Sequence, residues 1–172
     1  ASTDAETIMN GINLVLLLST TIFVSLKGSR VLATLFAIDL GAGPLEIGVL
    51  FALNGVFPFL LVISAGRIAD RIDNRVLMYC GIAGLAASLL LPFLFPTLLT
   101  LYFSVALSGL TSMLFIVATQ NLVGVLSSSE TRTRNFSLYS LGESMANVVG
   151  PVCAGFAIDA FRHPLAYLCL AL

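Results

Sequence analysis

Long apolar runs separated by short polar segments dominate the chain. A helix needs about 20 consecutive apolar residues to cross the hydrocarbon core of a bilayer. Five runs are that long, and a further run begins at Pro164 and reaches Leu172 after too few residues to cross. We therefore expect a polytopic, all-α bundle that is part of a longer protein, truncated in its sixth helix, with spans at residues 8–38, 45–65, 76–95, 97–126, 135–157 and 164–172 (incomplete).

Composition supports a membrane protein. Hydrophobic residues make up 58% of the chain and charged residues 10%, whereas soluble domains average about 45–50% and about 25%. The net charge of −1 and the lack of a basic run argue against a nucleic-acid partner. No metal-ligand spacing, phosphate-binding glycine loop or nucleophile motif is present, so we expect no enzyme, no cofactor and no metal site.

Basic residues lie on alternate sides of the predicted spans. The segment after span 2 contains three arginines and the segment after span 4 contains two, whereas the remaining inter-span segments contain only Arg162. Because basic residues concentrate in cytoplasmic loops, this asymmetry places segments 67–75 and 127–134 in the cytoplasm. The amino terminus is then cytoplasmic as well.

The spans are spaced as an internal repeat. Spans 1–3 and spans 4–6 begin about 89 residues apart, and at that offset Gly66-x-x-x-Asp70 falls on Gly155-x-x-x-Asp159. A unit of three helices crosses the membrane an odd number of times, so its copy is inserted upside down. Inverted three-plus-three repeats are an architecture of transporters. The alternative is that helices of ordinary length produce this spacing by chance.

Polar residues within spans 1, 4 and 5 recur every three or four residues and therefore share a helix face. Lipid offers such groups no partner, so we expect these faces to meet one another or a hydrated cavity. Helix packing through small hydroxyl residues is an equally good explanation for serine and threonine. The three stripes are Thr20, Phe23, Lys27, Arg30 and Thr34; Ser104, Ser108, Thr111, Phe115 and Thr119; and Ser140, Glu143, Asn147 and Gly150.

The ionisable members of these stripes are candidates for substrate binding or coupling. Lys27, Arg30 and Glu143 lie well inside their spans, where an isolated charge costs at least about 2.5–3.5 kcal/mol. Asn54 in span 2 and Asn147 in span 5 are further candidates. The alternatives are snorkelling of Arg30 to the outer interface and a static ion pair between Lys27 and Glu143.

The cytoplasmic segment 66–75 has the most specific pattern in the chain. It resembles the signature loop of the major facilitator superfamily, Gly-x-x-x-Asp-Arg-x-Gly-Arg-Arg/Lys, through Gly66, Asp70, Arg71 and Arg75. Asp73 and Asn74 depart from it, standing where the family has glycine and arginine. The resemblance implies a gating role for the loop, with Gly66 allowing close helix approach and Asp70 favouring a helix amino end.

Span 5 has a second resemblance, to the glycine–proline motif of the drug/proton exchangers in this family. It rests on Gly142, Gly150, Pro151 and Gly155, with Phe156 where a further glycine is expected. Proline removes a helical hydrogen bond, so we expect a bend. In span 4, Val105 occupies the position of an arginine that the family associates with proton coupling.

The resemblance covers the chain as the amino-terminal half of a twelve-helix transporter, with the carboxyl-terminal half absent. We expect proton-coupled efflux of a small, moderately apolar compound by alternating access. Alternatives are symport of a sugar or other metabolite, a non-transporting sensor or scaffold, and a membrane-embedded enzyme. The predicted partners are a small-molecule substrate, protons, the lipid bilayer and the missing half, and the predicted location is a bacterial inner (plasma) membrane.

Overall fold

The regular structure is entirely helical in the part of the chain that the structure describes. This computed structural model describes the backbone of residues 2–69 and 72–171, and side chains in 11–61, 63, 66, 67 and 72–160. The helices are α1 (Ser2–Asp39), α2 (Pro44–Ala69), α3 (Asn74–Leu94), α4 (Leu98–Leu126) and α5 (Arg132–Ala171). All five are long and apolar enough to cross a membrane, which confirms the predicted polytopic, all-α fold.

The turn between α1 and α2 depends on Gly41. Its φ of 83° lies in the left-handed region that glycine adopts without steric cost. The N–H of Ala42 donates to the carbonyl of Ala37 at 2.9 Å, which closes the end of α1. The Glu46 carboxylate accepts from the N–H of Gly43 at 2.7 Å at the start of α2.

Side-chain caps start α3 and α4. Asp73 accepts from the N–H of Arg75 at 2.9 Å and is the N-cap of α3. Thr97 accepts from the N–H of Thr100 at 3.2 Å and caps α4 in the same way. Each cap satisfies one of the amide groups that a helix leaves unpaired at its amino end. Asp73 therefore has a local function at the position where the family pattern has glycine.

The helices pair in a pattern that matches the predicted repeat. α1 packs mainly against α5, and α2 packs mainly against α4, while α3 packs against both α4 and α5. Exchanging helix 1 with 4 and helix 2 with 5 converts the α1–α5 pair into the α4–α2 pair. The same exchange converts the α1–α2 pair into the α4–α5 pair. Helices α1 and α2 make few contacts with each other, and so do α4 and α5.

Two apolar clusters form the core of the bundle. One surrounds the carboxyl-terminal half of α1, with Phe36 packed among Leu50, Leu89 and Leu101. The other surrounds Phe23 in the middle of α1 and includes residues from α3, α4 and α5. α2 contributes little to either cluster, since most of its apolar side chains are exposed.

The carboxyl end of α5 differs from the sequence prediction. A loop was expected at 159–163 and a sixth helix from Pro164, but α5 continues as one helix to Ala171. The prediction treated charged residues and Pro164 as the end of a helix. Charged residues alone do not end a helix, no glycine follows Gly155, and one proline removes a single backbone hydrogen bond.

Candidate functional site

A narrow cleft lies between α1, α2, α3 and α4. Its cavity volume is about 20 Å³, and the empty space reaches about 410 Å³ only when the open mouth and the solvent outside it are included. Arg30 lies nine residues before the end of α1 and Asn54 ten residues after the start of α2. At 1.5 Å per residue both are about 15 Å from those helix ends, near the middle of a hydrocarbon core about 30 Å thick. The lining residues are Ser29, Arg30, Ala33, Thr34, Leu50, Phe51, Asn54, Leu89, Ser104, Val105 and Ser108.

Asn54 connects α2 to α4 at the floor of this cleft. Its side-chain amide nitrogen lies 3.4 Å from the carbonyl oxygen of Val105 and 3.5 Å from the hydroxyl of Ser108. The two backbones approach closely here because position 109 is glycine. A Cβ at Gly109 would lie 2.5 Å from the carbonyl oxygen of Asn54.

An ion pair connects α1 to α5 beside the cleft. The ammonium nitrogen of Lys27 lies 3.6 Å from a carboxylate oxygen of Glu143, and the two side chains are 18% and 42% exposed. Glycines bring the helices together on either side of this pair. A Cβ at Gly142 would overlap the hydroxyl of Thr20, and one at Gly150 would lie 2.9 Å from the Cβ of Lys27.

A buried aromatic cluster lies about one helical turn before the ion pair on both α1 and α5. The ring of Phe23 makes edge-to-face contacts with Tyr139 at 5.5 Å and with Phe115 at 6.3 Å. Tyr139 is 4% exposed, and the side chain of Gln120 is the polar group that lies near its hydroxyl. The sequence analysis did not select Tyr139, although its position four residues before Glu143 places both on one face of α5.

Helix packing explains most of the predicted hydroxyl stripe on α4. All five members are buried, and Thr111 and Thr119 donate to carbonyl groups of their own helix at 2.9 and 2.8 Å. Gly84 of α3 lies directly against Thr111, as Gly81 does against Phe115. Only Ser104 and Ser108 of this stripe also line the cleft.

The structure therefore brings together only some of the candidate residues. Lys27 meets Glu143, and Arg30 shares the cleft with Asn54. Asn147 is exposed and donates to the backbone carbonyl of Glu143 at 3.1 Å, within its own helix. In the described residues no group of three or more His, Cys, Asp or Glu side chains could hold a metal ion.

Two glycines of the predicted motifs have no close neighbour among the described residues. A Cβ at Gly66 or at Gly155 would meet no atom within 4 Å in the described part of the chain. The close helix approach expected at Gly66 stays a prediction, because the described residues place no helix beside it. Arg75 is exposed. Asp70 and Arg71 lie outside the described residues, so their gating role stays a prediction.

Comparison with known proteins agrees with this architecture. The family model of the Major Facilitator Superfamily matches residues 13–172. The chain is also similar to the efflux pump azaK of Aspergillus niger, with 29% identity over 119 residues. That alignment covers 67% of this chain and 25% of azaK, so the matched segment spans about a quarter of the relative's length.

Proposed function

The chain belongs to the major facilitator superfamily, whose members are membrane transporters rather than enzymes, and we propose that it forms the amino-terminal half of a proton-coupled exporter. Its helices make it an integral, multi-pass membrane protein. The exported compound is small and moderately apolar and enters the cleft between α1, α2, α3 and α4. The similarity to an efflux pump supports export over uptake.

The Lys27–Glu143 ion pair is the observation that carries the proposal. It joins helices from two different repeats, α1 and α5, at mid-membrane and beside the cleft. Opposite charges in a low-dielectric environment stabilise each other. When the helices move apart, Glu143 loses this stabilisation, and we propose that the coupling proton is exchanged at this pair. A change in helix packing is thereby linked to proton uptake or release.

α5 has a local feature that would permit such movement. Pro151 has no N–H, so the carbonyl of Asn147 one turn earlier has no helical donor. Gly150 precedes it and lies against α1. We place the bend of α5 at this point, where it changes the distance between Lys27 and Glu143 as the two halves rock about the cleft.

The loop of residues 66–75 belongs to the same proposal. We place it in the cytoplasm, together with residues 127–134, on the arginine asymmetry of the sequence. Asp70 then contacts a helix amino end in the other half of the protein, assisted by Arg71 and Arg75. Asp70→Asn would cut transport strongly while leaving expression and substrate binding largely intact.

Flux measured against pH in reconstituted vesicles tests the coupling. Glu143→Gln in the complete protein keeps the side-chain size but cannot titrate, so efflux should lose its pH dependence. Glu46→Gln, at the α1–α2 turn, is the control and should keep the wild-type profile. Flux is normalised to the amount of folded protein. An unchanged pH profile in Glu143→Gln would show that proton coupling does not depend on this ion pair.

A further inference from the structure

Arg30 is the cation of the cleft that lacks a counter-ion. Among the described residues no hydrogen bond or ion pair engages its guanidinium group, although Glu143 attracts it electrostatically. The Glu143 carboxylate already pairs with Lys27 at 3.6 Å. Two cations and one carboxylate therefore lie close together at mid-membrane, and among the described residues the exposed Arg30 has no carboxylate of its own.

The other polar groups of the cleft leave Arg30 as its strong donor. Ser29 and Ser108 donate their hydroxyl hydrogens to carbonyl groups of their own helices, each at 2.9 Å. Ser104 donates across to the carbonyl of Ser88 at 2.6 Å. These hydroxyls present only acceptor lone pairs to the cleft, and such acceptors repel an anion. The donors that remain in the cleft are the Asn54 amide and the Arg30 guanidinium group, and of these two only Arg30 is charged.

The rest of the wall is apolar. Ala33, Leu50, Phe51, Leu89 and Val105 line the cleft from all four helices. An apolar ligand body is stabilised there by leaving water, whereas a sugar would leave many hydroxyl groups without donors or acceptors. The site therefore combines one guanidinium group with a narrow cleft whose other walls are apolar.

We propose that the cleft binds an apolar monocarboxylate, whose carboxylate forms paired hydrogen bonds with Arg30 and whose hydrophobic body lies between α2, α3 and α4. Guanidinium and carboxylate groups match in planar, bidentate geometry. A single positive charge without a carboxylate partner among the described residues suits a monoanion, because a doubly charged phosphate would leave one negative charge unpaired. This assignment rests on the proposed transport function and names its substrate class.

Calorimetric binding to the complete protein in phosphatidylcholine nanodiscs at pH 7.5 tests the assignment. The probes are 1-naphthoate, 1-naphthamide and 1-naphthylmethylamine, which share an apolar body and differ in charge. We expect naphthoate to bind at least roughly tenfold more tightly than the other two, because a charge-assisted, bidentate contact is lost in both. Arg30→Gln should weaken naphthoate binding by a similar factor and leave naphthamide binding within about twofold.

Two further variants complete the design. Arg30→Lys keeps the positive charge but loses the planar guanidinium group that can form two parallel hydrogen bonds, so it should retain part of the affinity for naphthoate. Arg132→Gln removes an arginine from the separate, open groove beside Phe136 and should change nothing. If Arg30→Gln does not fold, the three probes on the wild-type protein and the Arg30→Lys variant decide the question.

Several results would overturn the assignment: naphthamide or the amine binding as tightly as naphthoate, no binding of naphthoate, or naphthoate affinity unaffected by Arg30→Gln. If naphthoate does not bind while the same preparation shows proton-coupled flux of another solute, the substrate class is wrong and the transport function stands. If naphthoate binds through Arg30 but no probe is transported, the binding site stands and the transport function is wrong.

Discussion

Breaking the Lys27–Glu143 pair should destabilise the bundle by a measurable and asymmetric amount. Two unit charges 3.6 Å apart attract by about 1 kcal/mol in water and about 5 kcal/mol at an effective dielectric constant of about 20. Lys27 is 18% and Glu143 42% exposed, so solvent screening and side-chain ordering reduce the net interaction. We expect a coupling energy of about 0.5–1 kcal/mol.

The two single variants should differ because Arg30 also interacts with Glu143. Glu143→Gln leaves two cations without their carboxylate, whereas Lys27→Met leaves Glu143 with the electrostatic attraction of Arg30. Glu143→Gln should therefore lower the free energy of unfolding more than Lys27→Met. The variant with both changes should be more stable than the sum of the two single effects predicts.

Thermal and denaturant unfolding of the complete protein in detergent measures this cycle. Glu130→Gln, in the exposed loop before α5, provides the control cycle with Lys27→Met, and those two effects should add within about 0.5 kcal/mol. A coupling energy below that limit for Lys27 and Glu143 would refute the ion pair as a stabilising contact. A larger loss in Lys27→Met than in Glu143→Gln would refute the role given to Arg30.

Three further outcomes follow from the packing, the caps and the arginine asymmetry. Gly109→Ala should lower the free energy of unfolding by about 1–3 kcal/mol, because its Cβ overlaps the α2 backbone, whereas Gly55→Ala, with open space around it, should not; comparative melting measures both. Asp73→Ala removes the N-cap of α3 and should lower the free energy of unfolding by about 0.5–2 kcal/mol in the same assay. In a cysteine-free background, Ile72→Cys should resist an impermeant thiol reagent in sealed cells and Leu40→Cys should react; labelling of Ile72→Cys would reverse the proposed topology.

The helices could be predicted from the sequence because their signals are local. Length and apolarity give each span, and the predicted starts and ends of spans 2 to 4 lie within about four residues of α2, α3 and α4. The prediction of where α5 ends was wrong for the same reason. A local pattern cannot distinguish a polar break between two spans from polar residues within one helix.

The cleft could not be predicted in full because it depends on contacts between distant segments. Arg30 and Asn54 were selected as polar residues within spans, but nothing in the sequence places Leu50 beside Leu89. The glycine contacts were also hidden, since a glycine in an apolar run looks the same whether it faces lipid or a backbone. Gly109 lies against α2 and Gly55 against no atom, and only the packing of the bundle distinguishes them.

The repeat explains why the cleft and the ion pair lie at related places. At the offset of 89 residues, Asn54 corresponds to Glu143 and Thr20 to Gly109. Asn54 lies against Gly109 in the α2–α4 pair, and Gly142, next to Glu143, lies against Thr20 in the α5–α1 pair. Both helix pairs thus have a close contact at equivalent positions. The glycine of this contact lies on α4 in one pair and on α5 in the other, which are not equivalent helices. An alignment of the two repeats therefore does not reveal the shared contact. The polar residue is a neutral amide in one pair and a carboxylate in the other. Of these two contacts, the α1–α5 contact includes an ion pair, whereas the α2–α4 contact is made by neutral groups.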